Sequence, residues 1–152
     1  DKKNLEIKNM KLLIKLITSI FFLLISCGNA NENYFNEAKE LFKKEKYEDS
    51  KFLFQRSIVF NPKHSKSYLY LAKIFNIEKN ENEVIKNLNT TLLLEPDNEE
   101  ATYLLIEIEL KRSNFSRVKK LRNDLKSICE ELCVKLSSIN KRLDDIEAKN
   151  EL

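Results

Sequence analysis

Two prolines, Pro62 and Pro96, lie 34 residues apart, and the residues around them repeat at the same spacing. Proline cannot donate a backbone hydrogen bond and restricts the residue before it, so each proline marks the end of a helix. At this offset, large residues match large ones and small residues match small ones. The matched pairs are Tyr34 with Tyr68, Ala38 with Ala72, Leu41 with Phe75, Ser50 with Val84, Phe54 with Leu88 and Ser57 with Thr91. The chain therefore predicts a repeated helical unit.

This pattern resembles the tetratricopeptide repeat (TPR), in which each unit is a pair of helices closed by proline. The single Gly and the many Leu, Ile, Lys and Glu residues agree with a helical chain. Repeat one would span residues 31–64, repeat two 65–98, and repeat three would begin at Glu99. The predicted helices are Tyr34–Lys44 and Tyr47–Phe60 in repeat one, and Ser67–Ile77 and Glu81–Leu94 in repeat two. The expected fold is all-α, with about three TPR-like hairpins in a short right-handed solenoid and a long C-terminal helix.

Repeat three departs from the pattern because Glu109 replaces a large apolar residue and Glu130 stands where proline is expected. Apolar residues then recur every three or four positions. They are Val118, Leu121, Leu125, Ile128, Leu132, Leu136, Ile139, Leu143 and Ile146. This stripe predicts one helix continuing to about Ala148, roughly 50 Å long at about 1.5 Å per residue. That helix would cap the solenoid or pair chains as a coiled coil, and both roles stay open.

The N-terminal region has the organisation of a signal peptide if translation starts at Met10. Lys11 and Lys15 precede an apolar segment over residues 16–25, which is too short to span a bilayer because crossing takes roughly 20 apolar residues. The segment ends in Leu24-Ile25-Ser26-Cys27, which resembles the lipobox of bacterial lipoproteins. The resemblance implies cleavage before Cys27 and a covalent lipid on its thiol.

These signals divide the chain into four predicted segments. They are a lipoprotein-type signal peptide (1–26), a lipidated tether (27–33), a TPR-like repeat domain (34–130) and a C-terminal helical extension (131–152). The protein is expected in the bacterial cell envelope, lipid-anchored to a membrane outside the cytoplasm. Two or three acyl chains would hold it firmly.

The net charge of +3 comes entirely from the first 26 residues. The rest of the chain holds 22 basic and 22 acidic residues, so no surplus of positive charge is available to neutralise phosphates. A nucleic-acid partner is therefore not expected.

Residues that could carry catalysis or bind a metal are scarce. His64 is the only histidine and follows Pro62, where a solvated surface residue is the simplest interpretation. Cys129 and Cys133 lack the two further ligands of a zinc site, and a disulfide four residues apart on one helix is geometrically poor. We interpret both as small apolar contact residues, with redox sensing as the alternative. No enzyme activity, metal or cofactor is expected beyond the lipid on Cys27.

By resemblance, the first helices of the repeats line a concave groove that binds other proteins. The basic candidates in it are Lys39, Lys43, Lys66 and Lys73, and the apolar candidates are Phe35, Phe42, Leu69 and Tyr103. The lysines would hold an acidic group or a C-terminal carboxylate, or form an ordinary solvated face paired with Glu. The apolar residues would line the groove or belong to the core.

The function that these features predict is a membrane-tethered adaptor that binds another protein or peptide in the envelope. A lipobox joined to helical repeats also resembles the lipoprotein subunit of the outer-membrane β-barrel assembly machinery, which implies a role in envelope or outer-membrane protein assembly. The alternative is a structural lipoprotein that forms homo-oligomers through its coiled-coil-like C-terminal helix.

Overall fold

The computed structural model describes residues 10–19 and 28–150, with side chains over 10–19 and 33–146. In these ranges every regular element is a helix, and no strand occurs. The helices are α1 (10–19), α2 (Gly28–Lys43), α3 (Tyr47–Phe60), α4 (Ser65–Ile77), α5 (Glu81–Leu94), α6 (Glu99–Lys111), α7 (Phe115–Ile128) and α8 (Leu136–Asn150), with a 3₁₀ turn over Leu132–Lys135 before α8.

Cys27 and most of the predicted apolar signal segment lie outside the described residues. The side chains of α1 are exposed, and no helix in the described ranges is both long and apolar enough to cross a membrane. Helix α2 begins at Gly28, before the predicted start at Tyr34, so the segment predicted as a tether continues directly into the first repeat.

Three helical hairpins follow one another, because α2 packs on α3, α4 on α5, and α6 on α7. Each hairpin turns through one residue in the left-handed region: Glu45 (φ 59°), Lys79 (φ 60°) and Ser113 (φ 57°), which are again 34 residues apart. In each turn the next residue donates its N–H back to a carbonyl five residues earlier, as in Lys46 to Leu41 (3.0 Å). This is the hydrogen bond of a Schellman motif, formed here without the glycine that usually occupies the left-handed position.

Small residues let neighbouring helices approach closely. Ala38 on α2 and Ser50 on α3 are fully buried, and the Ser50 hydroxyl donates to the Ala38 carbonyl at 2.8 Å. Between repeats one and two, the Ser67 hydroxyl donates to Ser57 Oγ at 3.0 Å. The small positions of the sequence pattern therefore lie at the helix contacts.

The apolar core consists of two clusters. One is centred on repeat one and α4 and contains Phe35, Ala38, Phe54, Leu71 and Ile74. The other joins repeats two and three to the last helix, and its members include Ala72, Leu88, Leu105, Ile106, Leu125, Ile139 and Leu143. Helix α8 is thus part of the folded domain.

The unbroken helix predicted to Ala148 is wrong, because α7 ends at Ile128 and Cys129 is extended (ψ 137°). The chain turns through the 3₁₀ segment, and α8 packs back on α7, where Arg122 donates to the Asn140 side chain at 2.9 Å. Ile139 (0 % exposed) and Leu143 (5 % exposed) face the core of their own chain. The same apolar spacing suits a long helix or a helical hairpin, so the stripe could not distinguish them. The structure assigns α8 the capping role.

The interpretation of Cys129 and Cys133 as unlinked apolar residues is also wrong, because the two form a disulfide. The geometric objection applied to two cysteines on one continuous helix. Since the helix ends before Cys129, the backbone is free to bring the two Cα atoms to 5.3 Å, within the range that disulfides span.

Candidate functional site

The first helices of the three repeats, α2, α4 and α6, share one face of the molecule and line a groove with a volume of about 900 Å³. The turn that links α5 to α6 and the segment after Cys129 add further walls. Six of the eight predicted groove residues line it: Phe35, Lys39, Lys66, Leu69, Lys73 and Tyr103. Five of these six lie on α2 and α4, and Tyr103 lies on α6.

The apolar candidates have two roles at once. Phe35 and Leu69 are 8 % and 5 % exposed, so most of each side chain belongs to the core and only an edge reaches the groove. Tyr103 is half-buried and presents more of its ring. The alternatives of groove and core that the sequence left open therefore both apply to Phe35 and Leu69.

Lys39 and Lys66 are two of the cations that line the groove. In the described part of the chain, no carboxylate lies within ion-pair distance of either ammonium group. Lys66 is exposed and Lys39 half-buried. Both can therefore bind an anionic group of a ligand without first breaking an internal pair.

Lys73 is already paired. Its Nζ lies 2.7 Å from Glu100 Oε1 and 4.5 Å from the centre of the Tyr70 ring. This ion pair crosses from α4 to α6 and divides the groove from a second cavity. Lys73 therefore positions the two helices and is poorly suited to hold a ligand carboxylate.

The second cavity, of about 340 Å³, lies between α4 and α6, on the opposite side of the Lys73–Glu100 ion pair from the groove. Phe42, predicted for the groove, lines this cavity instead, together with Ile77, Leu104 and Ile108. Ile77 is 47 % exposed, so an apolar side chain of a ligand can reach it.

Lys43 lines neither cavity. Its Nζ lies 2.7 Å from Glu40 Oε1 on the same exposed helical face. The hydrogen bond that Lys43 donates to Glu40, together with the negative charge of that carboxylate, raises the pKa of Lys43. For Lys43 the solvated, Glu-paired alternative describes its place in the structure.

Acidic residues that the sequence analysis did not single out line the other side of the groove. They are Glu95, Asp97, Glu99, Glu100 and Glu131. The groove is thus divided by charge, with unpaired lysines on α2 and α4 and carboxylates around the start of α6. Glu95 precedes Pro96 and Asp97 follows it in the inter-repeat turn. Their position next to the repeat's proline is a sequence signal that could have predicted an acidic side of the groove.

Glu99 builds the wall of the groove at repeat three. Its carboxylate accepts hydrogen bonds from the backbone N–H groups of Glu130, Glu131 and Leu132, the last at 2.8 Å. These hydrogen bonds, led by those from Leu132 and Glu130, lower the pKa of Glu99. No sequence signal pointed to this contact, because it exists only where the helix is broken.

His64 is not the solvated surface residue that its position in a turn suggested. It is half-buried, its Nδ1 lies 2.8 Å from Ser67 Oγ, and its ring packs edge-on against Phe35 at 4.6 Å between centres. Preceding α4, it joins the turn to the core of repeat one. Over residues 10–19 and 28–150, no group of three or more His, Cys, Asp or Glu side chains is placed to hold a metal ion.

Three hairpins, turns at a 34-residue spacing and a groove on the first helices define a TPR-like protein, as the sequence predicted. Solved structures confirm this fold. The chain superposes on the type III secretion chaperone SycD of Yersinia enterocolitica, crystallised with a peptide of the translocator YopD, with a TM-score of 0.68 and 16 % identity over 81 % of this chain and 96 % of SycD.

Two further similar structures carry the same fold. The TPR2B domain of yeast Sti1, in complex with pHsp70, has a TM-score of 0.70 and 12 % identity, covering 78 % of this chain and 98 % of the domain. The first TPR domain of Spaghetti (RPAP3), bound to an HSP90 peptide, has a TM-score of 0.66 and 13 % identity, covering 76 % and 97 %. The sequence itself matches no family model and no curated protein.

Proposed function

We propose that this protein is a lipid-anchored adaptor of the bacterial cell envelope that binds an extended segment of another protein in its groove, in envelope or outer-membrane protein assembly. The observation that carries the proposal is a groove across all three first helices in which Lys39 and Lys66 have no carboxylate at ion-pair distance among the described residues. The three similar structures named above each hold a peptide or partner of their own, which supports a binding role over an enzymatic one.

The dimensions of the groove suit an extended segment. Three neighbouring helices spaced about 10 Å apart extend over roughly 20 Å, which about six residues of extended chain span. Main-chain groups of such a segment stay accessible to water and to polar groove residues. A folded domain would not fit between α2 and α6.

The charges of the groove define what the segment should contain. Acidic side chains would lie near Lys39 and Lys66, and basic ones near Glu95, Asp97 and Glu131. An apolar side chain between them would contact the exposed edges of Leu69 and Tyr103. Opposite charges at the two sides favour one direction of binding and disfavour the reverse.

The anchor rests on the lipobox at Leu24–Cys27, and the disulfide between Cys129 and Cys133 agrees with it. Disulfides persist in oxidising compartments outside the cytoplasm. The coiled-coil alternative has lost its main support, because Ile139 and Leu143 are already buried in their own chain.

Photo-crosslinking in intact cells tests the groove directly. A photoreactive residue is introduced at Lys66 or Tyr103 in the groove, and at the exposed Lys120 on α7 as the matched control. We expect the two groove positions to crosslink to the same envelope protein and Lys120 not to do so. Equal crosslinking from Lys120 would contradict binding in the groove.

Charge reversal then tests the roles of the unpaired lysines on that partner. The double variant Lys39→Glu/Lys66→Glu should weaken binding at least tenfold, since close charge pairs at interfaces couple by about 1.5 kcal/mol or more. The variant Lys120→Glu/Lys126→Glu changes the net charge equally on α7 and should bind like the unmodified protein. Equal losses would mean that net charge, and not the groove, determines binding.

A further inference from the structure

An exposed patch on the outer side of repeat one is used by neither the core nor the groove. We call it the edge patch, and it consists of Tyr34, Phe52, Arg56, Val59 and Phe60. Val59 is 77 % exposed, Phe52 57 % and Phe60 48 %. Single exposed apolar residues are common, but three on one helix, α3, form a continuous surface that indicates contact with something other than water.

The edge patch is ordered by its own contacts. The rings of Tyr34 and Phe60 stack at 5.3 Å between centres, and the Arg56 guanidinium lies 4.6 Å from the centre of the Tyr34 ring. The same guanidinium lies 5.8 Å from the centre of the Phe52 ring. The patch thus combines aromatic rings with a cation at its surface, side chains that have an apolar body and a polar end.

The position of the patch relates it to the start of the domain. Tyr34 lies six residues after Gly28, the first residue of α2, and therefore about 9 Å along the helix at about 1.5 Å per residue. Phe60, at the end of α3, stacks on Tyr34 and lies at this same end of the hairpin. Gly28 directly follows Cys27 in the sequence, so this end of the hairpin is the part of the domain nearest along the chain to the proposed lipid.

The unpaired charges that follow Phe52 along α3 and in the turn after it are positive. Arg56 belongs to the patch itself, and Lys63 lies three residues after Phe60. Within the described residues, Arg56 and Lys63 have no carboxylate at ion-pair distance, and both are exposed. These two cations would lie against lipid phosphates, and anionic lipids attract basic residues placed close to the surface.

Repeat two lacks this combination at the equivalent place. Leu93, which matches Val59 at the repeat spacing, is 81 % exposed and equally apolar. Its neighbours, however, are Glu95 and Asp97, which an anionic surface repels. An anionic surface should therefore attract repeat one and not repeat two, and Leu93 provides a matched control for Val59.

We propose that the edge patch rests in the interface of an anionic lipid bilayer, with Val59 and Phe60 at the level of the headgroups and Arg56 and Lys63 against phosphates. The inference depends on the proposed lipidation of Cys27, because the lipid brings the patch to the surface. Aromatic side chains with a polar end favour this depth of the bilayer. The domain would then be held in one orientation, and not only tethered.

The chain contains no tryptophan, so a single introduced one reports its own surroundings. The variants V59W and L93W are purified with their lipid and reconstituted in vesicles of phosphatidylethanolamine and phosphatidylglycerol that carry brominated acyl chains. Bromine quenches tryptophan fluorescence only at short range. We expect quenching of V59W to be severalfold stronger than that of L93W, and R56E/K63E in the V59W background to reduce it severalfold, with unchanged circular dichroism.

Each other outcome has a distinct meaning. If the intact mass shows no lipid on Cys27, the proposed anchor fails, and this inference fails with it. If the lipid is present but V59W is quenched no more than L93W, the domain is anchored without resting on its edge patch. If V59W shows a blue-shifted emission in detergent without vesicles, at protein concentrations where its mass is that of a dimer, a second copy of the chain covers the patch.

Discussion

Repeats two and three end their second helices in different ways. Helix α5 ends at Leu94, and the sequence Glu95-Pro96 stops it locally because proline cannot continue a helix. Helix α7 ends at Ile128 with no proline nearby. There the chain turns because Glu99 accepts three backbone hydrogen bonds, Cys129 bonds to Cys133, and α8 buries Ile139 and Leu143.

The difference teaches that the end of a helix can be specified by the residues at that point or by contacts far away in sequence. Glu99 is 31 to 33 positions away in sequence from the residues whose N–H groups donate hydrogen bonds to it. A helix end that is specified by a nearby proline can be predicted from the sequence, whereas one that depends on distant contacts cannot. Removing the tertiary contacts one at a time should therefore show which of them closes repeat three.

The burial of α8 should have the largest effect. Ile139→Ala removes a fully buried side chain and leaves a cavity, so it should lower the free energy of unfolding by about 3 kcal/mol. Val134, 77 % exposed in the same region, provides the control, and Val134→Ala should cost less than about 0.5 kcal/mol. Urea denaturation measures both, and equal effects would mean that α8 does not pack as described.

The disulfide should contribute less to the free energy of unfolding than the packing of Ile139 does. Its two cysteines are only four residues apart, so the linkage restricts a short loop of the unfolded chain, worth about 2 kcal/mol or less. The variant Cys129→Ser/Cys133→Ser avoids a free thiol and should lower the midpoint of urea denaturation by less than Ile139→Ala does. A larger loss than that of Ile139→Ala would make the covalent bond the main closure of repeat three.

The boundary between repeats two and three should show a smaller effect. The Asn98 side-chain oxygen accepts from the Ala101 N–H at 2.8 Å, and its amide donates to Glu95 at 2.8 Å. Asn98→Ala should therefore cost about 1 kcal/mol. Asn80 caps α5 with a longer contact of 3.4 Å, and we expect thermal denaturation to be less affected by Asn80→Ala.

Glu99→Gln should have the smallest and most local effect. The neutral amide is a weaker acceptor, so amide hydrogen exchange of residues 130–132 should accelerate while the core of α6 stays protected. Because hydrogen bonds lower the pKa of Glu99, its contribution to stability is present at neutral pH and is lost only as the pH falls through this lowered pKa, below the ordinary range of a glutamate. Glu100→Gln is the matched control and should leave these amides unchanged.

Much of the fold could be predicted because its signals are local and repeated. The pairs of helices, their small contact residues and the stops at Pro62 and Pro96 all follow from one 34-residue alignment. Glu45 and Lys79 lie in the gaps between the predicted helices, but the left-handed conformation of these residues and of Ser113 could not be predicted, because no glycine marks it.

The groove was predictable in position but not in charge. The register of the first helices predicted Lys39, Lys66 and Tyr103 on one face, and all three line the groove; their role in binding stays a prediction. It could not show that Lys73 is neutralised by Glu100, since an ion pair between repeats depends on how the two helices pack. The position of Glu131 on the groove could not be predicted either, because it depends on the end of helix α7 before Cys129.

The return of α8 along α7 caps the solenoid, and the segment between these two helices adds a wall to the groove through Glu131 and Leu132. Spin labels carried by noncanonical residues at the exposed Lys120 and Asp144, with the disulfide intact, measure this directly by pulsed electron resonance. Arg122 contacts Asn140, so a hairpin predicts a distance below about 20 Å for two packed helices. A continuous helix would separate the two positions by about 36 Å at about 1.5 Å per residue, and that result would contradict the account.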